Sequence, residues 1–261
     1  MESRKIVDLP YDQRRMLVVR DAESPSGTYR NAAVVIATVI LGGLFPFPSD
    51  AIIRKYMSRS DTDGQLLTVT MSEVASLRFP VGHPRRKVVY VGHPIDPFTY
   101  IPVAYFHTFL FEHKVAEALR LIRSLGAESV DVVRVEGWDS SVGISLRAPV
   151  PGAEQVEVGA SGSAQHQGGQ SVMTRMRLRP SESPRIPDNL VWLSHEPLWQ
   201  EVVDARLTSH LKSFVLDVRS ADDYGVNANL QAMISKIGLE AGGSFVKHRA
   251  TLWRLEGVFA D

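Results

Sequence analysis

The stretch FHTFLFEHKVAEALRLIRSL over residues 106–125, followed by Gly126 and by ESVDVVRVE over residues 128–136, decides the fold. Phe111, Val115, Ala118, Leu119, Ile122 and Leu125 recur at helical spacings and form one apolar stripe, while Glu112, Glu117, Arg120 and Ser124 lie away from it. Gly126 supplies the left-handed residue that ends a helix at little cost. The pattern then shortens to that of a strand from Ser129 to Glu136, with Val130, Val132 and Val133 packed inward. A helix feeding a strand is therefore the clearest unit of the chain.

Working outward, Met16 to Val19 is a short apolar piece before a turn-prone stretch, and Leu66 to Met71, Lys87 to Val91, Val142 to Ala148, Phe214 to Val218 and Ser244 to Phe259 read as strands. Asp50 is placed to cap a short helix over residues 51–57. A second helix starts at Ser194-His-Glu-Pro, where a first-turn proline is tolerated, and runs to about Leu207. A third, capped by Asp222-Asp-Tyr, carries Val226, Leu230, Met233, Ile234 and Ile237 and stops at Gly238. Residues 149–187 differ in character: small and apolar residues alternate from Val156, Gln165-His-Gln-Gly-Gly makes a turn, and Ser171 to Arg179 returns. This is a long amphipathic hairpin. Hairpins mixed with single helices predict an α+β fold with a mixed or mainly antiparallel sheet and three to four amphipathic helices. The expected organisation is an N-terminal segment, residues 1–75, packed on a main α+β domain, residues 76–261, as one compact domain.

Composition narrows the function classes. Lys plus Arg equals Asp plus Glu at 29 each, so no net field draws the chain to nucleic acid. There is no cysteine, which removes disulfides, thiol nucleophiles and thiolate metal sites. The start lacks the order of a secretory signal, so a cytoplasmic protein, peripheral at a membrane in one form, is expected. Residues 32–47, from Ala32 to Phe47, are uncharged but shorter than a spanning helix requires and are broken by Gly42, Gly43 and Pro46. A buried strand or core helix is the expectation there.

Chemical motifs are sparse. No Gly-x-Ser-x-Gly elbow, phosphate loop or His-Glu-x-x-His is present. His107 and His113 are six apart and point roughly 240° from one another on a helix, so they cannot share an ion. His113 and Glu117 share a face, expected to be wet because it lies opposite the apolar stripe. His83 and His93 sit in two echoing Val-Gly-His-Pro turns at residues 81–84 and 91–94. These four residues, His83, His93, His113 and Glu117, are the weak candidates for catalysis, as a metal-assisted hydrolase with a His/carboxylate site. A ligand-binding module is the other alternative. No metal and no cofactor is expected.

The hairpin carries more weight. Val156, Val158, Ala160, Val172, Met176 and Leu178 are assigned to its apolar side, and Arg175, Arg177 and Arg179 to a cationic ridge able to meet phosphate-bearing head groups. Alternation of this kind is also what a membrane-inserting hairpin requires. The sequence thus points to a non-enzymatic effector or interaction protein, with a pore-former-like, membrane-directed hairpin as its concrete form. An anionic membrane surface or a protein is the expected partner, and an oligomer is compatible with the sequence.

Overall fold

The structure is a computed structural model and describes residues 6–20, 66–137, 153–158, 171–181 and 183–260. Among these residues three helices exceed a single turn: α1 (Phe106–Ser124), α2 (Pro197–Ser209) and α3 (Ala228–Lys236). The strands are β1 (Met16–Arg20), β2 (Leu66–Thr70), β3 (Val89–Gly92), β4 (Tyr100–Pro102), β5 (Ala127–Glu136), β6 (Ala153–Val158), β7 (Ser171–Leu178), β8 (Ser213–Ser220) and β9 (Thr251–Phe259). The fold is α+β. It divides into two compact units, Met1–His107 with Asp223–His248, and Thr108–Asp222 with Arg249–Asp261.

The first unit holds a four-stranded sheet in the order β2-β1-β3-β4, mixed because β1 runs parallel to β2 and antiparallel to β3. All four residues of β3 are buried, as a central strand covered on both faces must be. Leu17, Val19, Val69, Val74, Leu77, Val88, Tyr90 and Tyr100 form its core. The buried tyrosines keep their hydroxyls satisfied, Tyr100 Oη donating to the Arg14 carbonyl at 2.9 Å.

The second unit is an antiparallel sheet in the order β6-β7-β5-β9-β8. Val130 and Val132 of β5, Trp253 and Leu255 of β9, and Phe214, Leu216 and Val218 of β8 are buried on one face. Phe111 of α1 meets Trp253 edge-on at 5.1 Å there, and Val115, Ala118, Ile122 and Leu125 of the predicted stripe are buried, whereas Leu119 is only partly buried and Leu121, outside the stripe, is fully buried. Each large side chain so buried contributes about 1.5–3 kcal/mol. Gly126 closes α1 at φ +89°, as its position after the stripe predicts. Gly257 on β9 is needed for a separate reason. A Cβ there would strike the Ser129 carbonyl oxygen of β5, so only glycine allows β5 and β9 this approach.

Several expectations shift. The cap of α3 is Asn227, whose Oδ1 accepts from the Asn229 and Leu230 amides at 3.1 and 3.2 Å, and not Asp222 or Asp223. Asp223 instead accepts from the Gly225 amide at 2.8 Å and sets the turn before the helix. The last strand begins at Thr251 rather than Ser244. The apolar run at residues 32–47, the short helix at residues 51–57 and the strand at residues 142–148 lie outside the described residues. No helix among the described residues is long and apolar enough to cross a membrane.

Candidate functional site

The β6–β7 hairpin stands at one end of the five-stranded sheet, with β6 as the outermost strand and the β5–β7 ladder joining it to the rest. Directly opposed residues on paired strands share a face, so register locates each candidate. Arg175 faces Asp131 of β5, and the guanidinium binds both carboxylate oxygens, Nε at 2.9 Å from Oδ1 and a terminal nitrogen at 2.8 Å from Oδ2. Arg177 faces Ser129 and makes no ion pair among the described residues. Met176 and Leu178 point the other way and are buried. The ridge and the apolar side are thus separated by strand alternation.

Val172 departs from the predicted pattern. Val132 opposes Thr174 but Val133 opposes Val172, so β7 carries one extra residue, Met173, in a bulge. Past the bulge the alternation inverts. Met173 and Thr174 are buried, and Val172 is 47% exposed on the face that carries the arginines rather than beside Met176. Val156 stands opposite Met176 and Val158 opposite Thr174. Ala160 and the turn at residues 165–169 lie outside the described residues, and Arg179 follows the end of β7, exposed.

Val133, opposite Val172 and Arg254, is buried on the arginine-bearing face, but most of that face is polar among the described residues. Across it run Arg175, Arg177, Asp131, Glu256, Arg254 and Asp217, and between them Val215 is 58% and Val258 42% exposed. The Arg254 guanidinium, with Nε 2.8 Å from Asp217 Oδ1, holds the Asp217 carboxyl below its ordinary range. Sequence reasoning missed Val215 and Val258. Their only sign was alternation with buried neighbours in strands read as core.

The opposite end of the sheet is finished differently. The Phe259 amide donates to the Lys212 carbonyl at 2.8 Å, so even-numbered residues of β8 bond to β9 and odd-numbered ones present their carbonyls at the edge. Two of these are occupied by side chains: Trp199 Nε1 donates to the Asp217 carbonyl at 3.2 Å and Lys114 Nζ to the Arg219 carbonyl at 3.0 Å. Lys114 also pairs with Glu196 and lies over the Trp192 ring at 5.1 Å. This edge is plugged.

The same helix face decides the fate of His113 and Glu117. Glu117 is 4% exposed, against the expectation of a wet surface, because residues 191–196 pack over it. Its carboxylate accepts from the backbone amides of Val191, Trp192 and Leu193 at 2.7, 2.6 and 3.0 Å. His113 Nδ1 accepts from the Trp192 indole at 3.1 Å, and since an indole only donates, the ring proton sits on Nε2. Both residues brace one loop and have different partners. Five residues before Glu117 on α1, burial alone raises the Glu112 carboxyl to about 7.

In the first unit, His83 and His93 are each tied into their own turn. The Tyr90 hydroxyl accepts from the Arg85 amide at 2.6 Å and meets His83 Nδ1 at 2.7 Å. Burial and the Arg85 cation lower the His83 pKa, and burial pushes Tyr90 up to about 12. His93 Nδ1 accepts from the Ile95 and Asp96 amides at 3.2 and 3.0 Å. Among the described residues no group of three or more His, Asp or Glu side chains is arranged to hold a metal. The chain matches no family model, and comparison with curated proteins and with solved structures found no similar protein.

Proposed function

We propose that the chain is a non-enzymatic effector that acts on an anionic membrane surface, with the β6–β7 hairpin as its moving part. The observation that carries this reading is the hairpin's placement. It is the terminal element of the sheet, joined through the β5–β7 ladder, and its outer side is an arginine ridge continuous with exposed Val172, Val215 and Val258. Arginines at that level suit phosphate head groups, and apolar side chains between them suit the boundary beneath. In this reading the hairpin leaves β5, the Arg175–Asp131 pair breaks, and Met176 and Leu178 exchange protein contacts for hydrocarbon.

The hydrolase alternative has less support, because every candidate imidazole and carboxylate already serves a hydrogen bond that orders a loop or turn. The test is release of a trapped dye from phosphatidylserine-containing vesicles by the full chain. Arg177→Glu combined with Val215→Asp is expected to fold normally, since both sites are exposed, and to lower vesicle binding about tenfold. Binding and release unchanged in that variant contradict the proposal.

A further inference from the structure

The loop at residues 80–87 of the first unit combines an apolar apex with a cationic flank. Val81 is 103% exposed, as open to solvent as a side chain in an extended peptide. Arg85, Arg86 and Lys87 follow, all exposed, and residues 79–90 contain no Asp or Glu. Arg85 and Lys87 make no ion pair among the described residues. A single exposed valine is ordinary on a protein surface, and what marks this loop is the pairing of a fully exposed apolar apex with three consecutive cations.

The loop is also built to keep this shape. Gly82 turns the chain at φ +80°, and the His83 amide donates to the Pro80 carbonyl at 3.0 Å. Arg85 Nε folds back on the Gly82 carbonyl at 2.9 Å. The Arg85 amide and His83 Nδ1 both engage the hydroxyl of Tyr90, which is fully buried in the core. Lys87 is fixed through its amide to the Val19 carbonyl at 3.1 Å. The apex therefore loses little freedom when it meets a partner.

We infer that residues 80–87 are a docking tip for an anionic lipid bilayer, Val81 entering the interface while Arg85, Arg86 and Lys87 lie among the head groups. A phosphate-rich nucleic acid would use the cations but offers Val81 no apolar environment, which is why lipid is the better partner. The inference draws its choice of partner from the function proposed above, but rests on different residues in the other unit. Attraction of this kind weakens as salt rises.

The test is co-sedimentation of the full chain with vesicles of phosphatidylserine in phosphatidylcholine, and with phosphatidylcholine alone. Val81→Asp, and separately Arg85→Glu with Lys87→Glu, are each expected to lower binding to the anionic vesicles by about tenfold while the melting temperature stays near that of the parent. Equal binding by parent and loop variants, equal binding to neutral vesicles, or binding to a single-stranded oligonucleotide with none to vesicles, overturns the inference. Loop-dependent binding without dye release leaves the docking tip standing and sinks the hairpin proposal. Dye release by loop variants that bind like the parent does the reverse.

Discussion

The two ends of the five-stranded sheet solve the same problem in different ways. A terminal strand presents unpaired carbonyls and amides, and a stable fold must cover them or spend them elsewhere. At β8 the carbonyls of Asp217 and Arg219 are taken by Trp199 and Lys114, and Lys114 is itself held by Glu196 and Trp192, on a loop that Glu117 fixes through three amides. At the other end, the β6–β7 pair joins the rest of the sheet through the β5–β7 ladder, which a bulge interrupts and whose cross-strand ion pair is half exposed. The difference shows which end of the sheet has its edge carbonyls taken by side chains, and it is the β5–β7 ladder that would part under the proposed function.

That contrast can be broken first at its strong end. Glu117→Ala removes the acceptor of three buried amides and is expected to cost about 3 kcal/mol in urea unfolding, since donors left unpaired bear their full desolvation penalty. A cost within experimental error of zero would mean that the loop is not braced by that carboxylate.

A pH dependence tests α1 separately. The folded Glu112 carboxyl titrates at about 7, above its ordinary 4.5, so its favourable protonated state holds below the unfolded value and is lost as pH rises through the folded one. Glu112→Gln is expected to match the parent at about pH 4 and to exceed it by about 1 kcal/mol at about pH 8, the figure being reduced for the partial exposure of the site. A gain that is equal at both pH values would assign the effect to packing instead.

The weak end should respond in the opposite sense. Asp131→Ala removes the partner of Arg175 across the β5–β7 ladder and is expected to cost only about 0.5 kcal/mol, because the pair is partly exposed. Dye release should nevertheless accelerate, since the hairpin is less firmly held. Slower release at similar stability would argue that Asp131 promotes hairpin release instead of restraining it.

Much of this architecture is legible in the sequence, and the exceptions have physical causes. The stripe from Phe111 to Leu125 and the valines of β5 are visible because periodicity reports which face meets a core. Glu117 is misread for the same reason: a carboxylate off the stripe resembles a surface group, and the amides that bury it lie more than seventy residues away. The bulge at Met173 leaves no mark in Val172-Met-Thr, so Val172, on its N-terminal side, is assigned to the wrong face. Asn227 loses the cap of α3 to Asp222 and Asp223 because all three are good caps and only turn geometry chooses among them. In the candidate site, Arg175 and Arg177 share the exposed face that alternation assigns them, while the exposed valines of β8 and β9 emerge only when register places them beside it.

The most direct measurement uses the absence of cysteine, which makes a single engineered disulfide unambiguous. Val132 and Thr174 oppose each other across β5 and β7 on the buried face, away from the arginine ridge, so Val132→Cys with Thr174→Cys can lock the hairpin to the sheet. If the hairpin is the moving part, the oxidised protein binds phosphatidylserine vesicles but releases no dye, and a reductant restores release in the same sample. Release that is equally fast in the oxidised and reduced forms would contradict a moving hairpin.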